Sequence, residues 1–99
     1  MSSYTEAVAA DRRLSLLILI EGAPGATANE ALLQSALDGF GHMASSDQVR
    51  VDLAWLAEQG LVTTRDTAGL VVATLTERGG DVALGRATVP GVKRRRPGT

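Results

Sequence analysis

Val49-Arg50-Val51-Asp52-Leu53-Ala54-Trp55-Leu56-Ala57-Glu58-Gln59-Gly60-Leu61-Val62 is the stretch on which the fold turns. Val49, Leu53 and Leu56 recur at helical spacing and share one face. Gly60 stands where a helix ends in a left-handed residue. Immediately after it, Leu61-Val62-Thr63-Thr64-Arg65 is short and β-branched, and the period changes from helical to extended. A helix that buries one face, turns at a glycine and feeds straight into a strand is the junction between a helix-turn-helix unit and a hairpin.

Upstream, Ser45 precedes Gln48 by three residues, the spacing of a capping box, and opens this helix. A preceding helix is predicted from a second such pattern, Thr27-Ala28-Asn29-Glu30, with Leu33, Ala36, Leu37 and Phe40 on one side and Gly39 and Gly41 at its end. His42-Met43-Ala44 forms the connection. A first helix starts at the pair Ser3 and Glu6 and runs to about Ile20, where Gly22 to Gly25, with Pro24 among them, stops it. Ala7, Ala10, Leu14, Leu17 and Glu21 lie on one stripe of that helix. Leu16 and Ile20 lie off it, so its second half is apolar nearly all round and calls for a partner helix or a second chain. The run Leu14 to Ile20 is far short of the roughly 20 residues that span a bilayer, so neither a membrane segment nor a targeting segment is expected.

Downstream, Asp66-Thr67-Ala68-Gly69 is turn-like and Leu70 to Leu75 is a second β-rich run, giving a hairpin. Thr76-Glu77 begins a last helix through about Arg86. Its Gly79, Gly80 and Gly85 each cost about 1 kcal/mol relative to alanine. From Val89, Pro90, Gly91, Pro97 and Gly98 surround Lys93-Arg94-Arg95-Arg96. The predicted organisation is a domain over 1–88 and a flexible basic tail over 89–99. The fold class is mainly α with a small β-hairpin, in the order α-α-α-β-β-α of a winged helix-turn-helix with a basic C-terminal tail.

The Val49–Val62 stretch resembles the recognition helix and wing entry of the ArsR-like winged-helix superfamily. Ala28-Asn29-Glu30-Ala31-Leu32-Leu33, and the region from Leu75-Thr76-Glu77-Arg78-Gly79 through Val89-Pro90-Gly91-Val92-Lys93, are similar to small proteins of Mu-like bacteriophages and prophages. The resemblance covers roughly residues 12 to 93. It implies a winged-helix fold and a phage or prophage origin, hence the cytoplasm of a bacterial host. It carries no catalytic residue. Metal sensing, which in ArsR-like proteins uses a cysteine motif on the third helix, does not carry over, because the chain has no cysteine.

Ninety-nine residues, 44 % of them hydrophobic, make one small domain. The absence of cysteine excludes disulfides, thiolate zinc sites and cysteine nucleophiles. His42 is the only histidine and has no partners at metal-ligand spacing. There is no phosphate loop, dinucleotide fingerprint or Ser–His–Asp spacing. No enzyme, no cofactor and no metal are expected.

The formal charge of −1 is a cancellation: residues 1 to 92 hold six basic and eleven acidic groups, and Lys93 to Arg96 add four cations. Two functions compete on this pattern. In the first, the chain is a dimeric regulator on double-stranded DNA. Ser46 meets a phosphate, Gln48 an adenine and Arg50 a guanine, Arg65 contacts DNA from the wing, and Lys93, Arg94, Arg95 and Arg96 grip the backbone as an arm. Leu16, Ile20 and Trp55 then supply the homodimer interface. In the second, the chain is a winged-helix adaptor that binds another phage protein in a replication, transposition or packaging complex. The second is motivated by residues 45 to 59, where Arg50 stands against Asp47, Asp52 and Glu58, an acidic balance that opposes phosphate binding.

Overall fold

A computed structural model of the chain describes residues 3–96. Helix α1, Tyr4–Gly22, starts at Ser3, whose hydroxyl accepts from the backbone N–H of Glu6 at 3.1 Å. A 3-10 turn at Pro24–Ala26 leads into a three-residue strand β1, Thr27–Asn29. Helix α2, Glu30–Leu37, is capped by Asn29, whose side chain accepts from Leu32 N–H at 2.9 Å. After a 3-10 turn at Asp38–Phe40, helix α3 runs Ser46–Glu58 from a Ser45 cap. Strands β2, Val62–Thr67, and β3, Leu70–Leu75, form the wing, and α4, Glu77–Ala83, closes the domain. The layout is mainly helical with a winged antiparallel hairpin.

The hairpin is one strand richer than expected. The sheet order is β1-β3-β2, all antiparallel, with Thr27 opposite Thr74 and Asn29 opposite Val72. Thr27 therefore extends a sheet instead of capping a helix, and the cap passes to Asn29. The wing turn is also tighter than the four residues read from sequence. Thr67 pairs with Leu70, leaving Ala68 and Gly69 as a two-residue loop with φ of 53° and 84°. Two positive φ values in succession match the twist of antiparallel strands. Asp66 fastens the loop by accepting from Gly69 N–H at 3.0 Å.

Helix α1 is the axis of the core and packs against α2, α4, β1 and β3. Leu14, Leu16, Leu17 and Ile20 are buried together with Leu33, Leu37, Val49, Leu53, Leu56, Leu61, Val62, Ala73, Val82 and Ala83. This corrects the dimer interface. Leu16 and Ile20 are 0 % exposed in the single chain, because later elements enclose α1 on the side assigned to a second chain. Trp55, the third residue of that assignment, is half-buried within the chain. Its ring lies against the Arg13 guanidinium, 4.0 Å from the ring centroid, and against Gly91, where a Cβ would stand 2.7 Å from Trp55 Cζ2.

The segment after α4 is likewise not a free arm where it is described. Val89 and Val92 are buried in the core, and Lys93 N–H donates to Ala10 O at 3.1 Å. Arg95 Nη1 donates to Ala83 O at 3.0 Å. Residues 89–96 form a strap along α1, while positions 97–99 of the expected tail and positions 1–2 of the expected domain lie outside the described residues.

Candidate interaction face of the third helix and wing

The face that a winged helix offers to a partner is the exposed side of α3 with the wing beside it. On α3, Val49, Asp52, Leu53 and Leu56 point inward, while Asp47, Arg50, Val51, Ala54 and Glu58 are exposed. The residues of α3 assigned to DNA contact are on or beside this side, but most of their polar atoms are already engaged. Ser46 Oγ donates to Gln34 Oε1 at 3.0 Å, which ties the start of α3 to α2. Gln48 turns inward, and its Nε2 donates to Asp52 Oδ1 at 3.2 Å.

Arg50 is held most firmly. Its Nε donates to Glu30 Oε1 at 2.6 Å and its Nη2 to Gly69 O at 2.9 Å. The other Glu30 oxygen accepts from the N–H of Val71. One buried carboxylate at the start of α2 thus joins α3 to the first residues of β3, and Arg50 reaches on to the wing turn. The hydrogen bond from Arg50 and the one from Val71 hold the Glu30 carboxyl below its ordinary pKa, and the bond to Glu30 together with its charge raises that of Arg50. Nothing local in the sequence marks this clamp, since Glu30 and Arg50 are twenty positions apart and Glu30 reads as part of a capping box.

A carboxylate held below its ordinary pKa stabilises the fold above the usual glutamate range and loses that contribution as pH falls through the lowered native value. Glu30→Gln is therefore expected to lower the urea midpoint at neutral pH. The gap from the parent protein should shrink steadily toward strongly acid pH. A gap that stays constant over the whole pH series would show that the charge of Glu30 is irrelevant to the clamp.

Behind α3, Asp52 is 1 % exposed and accepts from both Arg12 and Gln48, with Arg13 Nε 4.0 Å away. Arg12 and Arg13 are thus turned toward the interior and add little to a basic surface. Arg65 is exposed on β2, with the acidic Asp66 next to it. The remaining cations lie on the strap. Lys93 Nζ is 3.4 Å from Asp11 Oδ1, Arg94 and Arg96 are exposed, and Arg95 is half-buried. Asp11 Oδ2 also meets His42 Nε2 at 2.8 Å, so the only histidine joins the α2–α3 connection to α1.

Among the described residues no group of three or more His, Cys, Asp or Glu is placed to hold a metal ion, and no helix is long and apolar enough to cross a membrane. What the face presents is a weakly charged surface with apolar points. Val51 is 62 % exposed, and Leu32 on α2 is 65 % exposed.

The chain is similar to the protein gp26 of Escherichia phage Mu, with 53 % identity over 87 residues, covering 88 % of this chain and 90 % of gp26. It is also similar to an uncharacterized protein of Haemophilus influenzae strain Rd, with 43 % identity over 77 residues, covering 77 % of this chain and 74 % of that protein. No protein-family model and no solved structure matches the chain.

Proposed function

The chain belongs to the family of the Mu phage protein gp26, and from that premise we propose that it is a winged-helix adaptor that docks onto another phage protein. The observation that carries this reading is the commitment of Arg50. Arg50 spends Nε on Glu30 and Nη2 on Gly69, so its guanidinium is drawn toward α2 and the wing turn, and the N–H groups left over point only where that clamp aims them. Swinging the side chain out to follow a base edge would break the clamp between α2, α3 and the wing. Charge points the same way, because phosphate neutralisation dominates DNA affinity and Asp47 and Glu58 flank the single cation on the exposed side of α3. Val51, exposed on that side, suits a protein partner better than a phosphate backbone.

The runner-up is a DNA-bound regulator that uses the strap cations Lys93 to Arg96. One titration separates the two readings. Full-length protein is added to labelled mixed-sequence duplex at low salt, and the adaptor reading expects no saturable binding up to about ten micromolar, where non-specific DNA binders register. Binding with a salt slope near −3.6, the value expected for four neutralised phosphates, would favour the strap-held regulator instead. A photo-crosslinking residue at position 51, introduced during phage development, supplies the positive arm. The expected product is a covalent adduct with a phage-encoded protein. Adducts to DNA would overturn the adaptor reading.

A further inference from the structure

We infer that the groove between α1 and the strap receives an acidic amphipathic helix of a partner protein. The groove encloses about 730 Å³, within the range of roughly 300–1,000 Å³ typical of ligand sites. Its floor is apolar. Ile18 lies one helical turn beyond the nearly covered Leu14 on α1, and Phe40, 42 % exposed, faces them from the 3-10 turn that follows α2. Its wall is the cationic run Lys93 to Arg96.

That wall is held in place at two points. The backbone of Lys93 is bonded to Ala10, and further along Arg95 donates to Ala83 O while its own carbonyl passes so close to Gly85 that a Cβ there would stand 2.8 Å away. The one acid lining the groove, Asp11, is already engaged by His42 and Lys93. The groove therefore gathers the four cations of an otherwise acidic chain along an apolar floor, with Lys93 paired to Asp11 and Arg95 bonded to Ala83 O.

Charge complementarity selects the occupant. A helix with apolar side chains at i, i+4 and i+7 fills such a floor in the helix-in-groove mode, and glutamates on its flank meet the cations. A nucleic-acid backbone satisfies the wall but brings nothing to bury on Ile18 and Phe40. The inference rests on the adaptor reading and deepens it by giving the partner's chemistry, on a surface different from that of Val51.

The probe is a fluorescein-labelled synthetic helix of about 18 residues, five turns long, with leucines at i, i+4, i+7 and i+11 and glutamates over the rest. It is titrated with the full chain by anisotropy. We expect saturable binding that weakens by at least about tenfold, 1.4 kcal/mol, in Phe40→Glu and in Arg94→Glu. Both positions are exposed, so circular dichroism should show both variants folded. A scrambled peptide of the same composition should bind at least about tenfold more weakly, and mixed-sequence duplex DNA should fail to displace the probe. Equal binding of the scrambled peptide, undiminished binding by Phe40→Glu, displacement by DNA or absence of binding up to about 100 micromolar would each overturn the proposal. Failure here alongside a phage-protein adduct at position 51 would discard the groove and leave the adaptor standing. Peptide binding alongside DNA adducts at position 51 would do the reverse.

Discussion

Gly79→Ala is expected to destabilise the protein by about 3 kcal/mol or more, at the upper end of what overpacking a core costs, while Gly80→Ala should stabilise it by up to about 1 kcal/mol. Both glycines lie inside α4, and helix propensity alone favours alanine at each. Their surroundings differ. A Cβ on Gly79 would collide with the Leu61 carbonyl and stand 2.8 Å from Leu75 Cδ1, whereas the nearest atom to a Cβ on Gly80 is Leu75 Cδ2 at 3.7 Å, an ordinary contact. The Leu61 carbonyl has little room to retreat, because it accepts from Thr76 N–H at 3.1 Å, and Thr76 in turn caps α4 at Gly79 N–H. Gly79 is thus the point at which the last helix lies directly on the chain entering the wing. Urea denaturation followed by circular dichroism checks the pair. Equal effects of the two substitutions would show that the close approach is not limiting.

Asp52→Ala is expected to cost about 3–5 kcal/mol, the usual penalty for removing one partner of a buried ion pair. Asp52 is 1 % exposed, and Arg12 and Arg13 beside it are 13 % and 21 % exposed, so neither cation has ready access to water as a substitute. The substitution also strands the Gln48 amide. Asp52→Asn keeps the shape and some hydrogen bonds but removes the charge, so its cost should fall between those of the parent and the alanine variant. Arg12→Ala should lose less when combined with Asp52→Ala than in the parent, since the two residues form one unit. Strict additivity in that double-mutant cycle, read from thermal or urea unfolding, would contradict the ion pair as the source of the effect.

Most of the helices were legible because their signals are local. Ser3 and Ser45 cap the helices that their spacing predicts, and the fall from helical to extended period after Gly60 marks the wing. Strand β1 was not legible. Three residues have no period of their own, and Thr27 becomes a strand residue only because Thr74 lies opposite it.

The all-round apolar surface of α1 was read correctly as needing cover on two sides, and of the two covers offered, a partner helix or a second chain, the chain itself supplies the first in α4, with the strap beside it. Val89 and Val92 carried that information, yet prolines and glycines beside them give the segment the composition of a loose tail. The same limit applies to the interaction face. Which residues sit on α3 follows from helical spacing. That Gln48 turns inward to Asp52 and that Arg50 is clamped to Glu30 depends on contacts across four and twenty positions, and the longer of these leaves no mark on periodicity.

Trp55 is the only indole in the chain, and its place between the Arg13 guanidinium and the Gly91 backbone makes it an intrinsic optical probe. Lifting the strap is expected to wet one edge of the ring, moving its emission to the red, while the far-ultraviolet spectrum of the helices holds. Unfolding changes both together. The unlabelled chain therefore distinguishes an opened strap from a melted domain when its emission is read beside its far-ultraviolet spectrum.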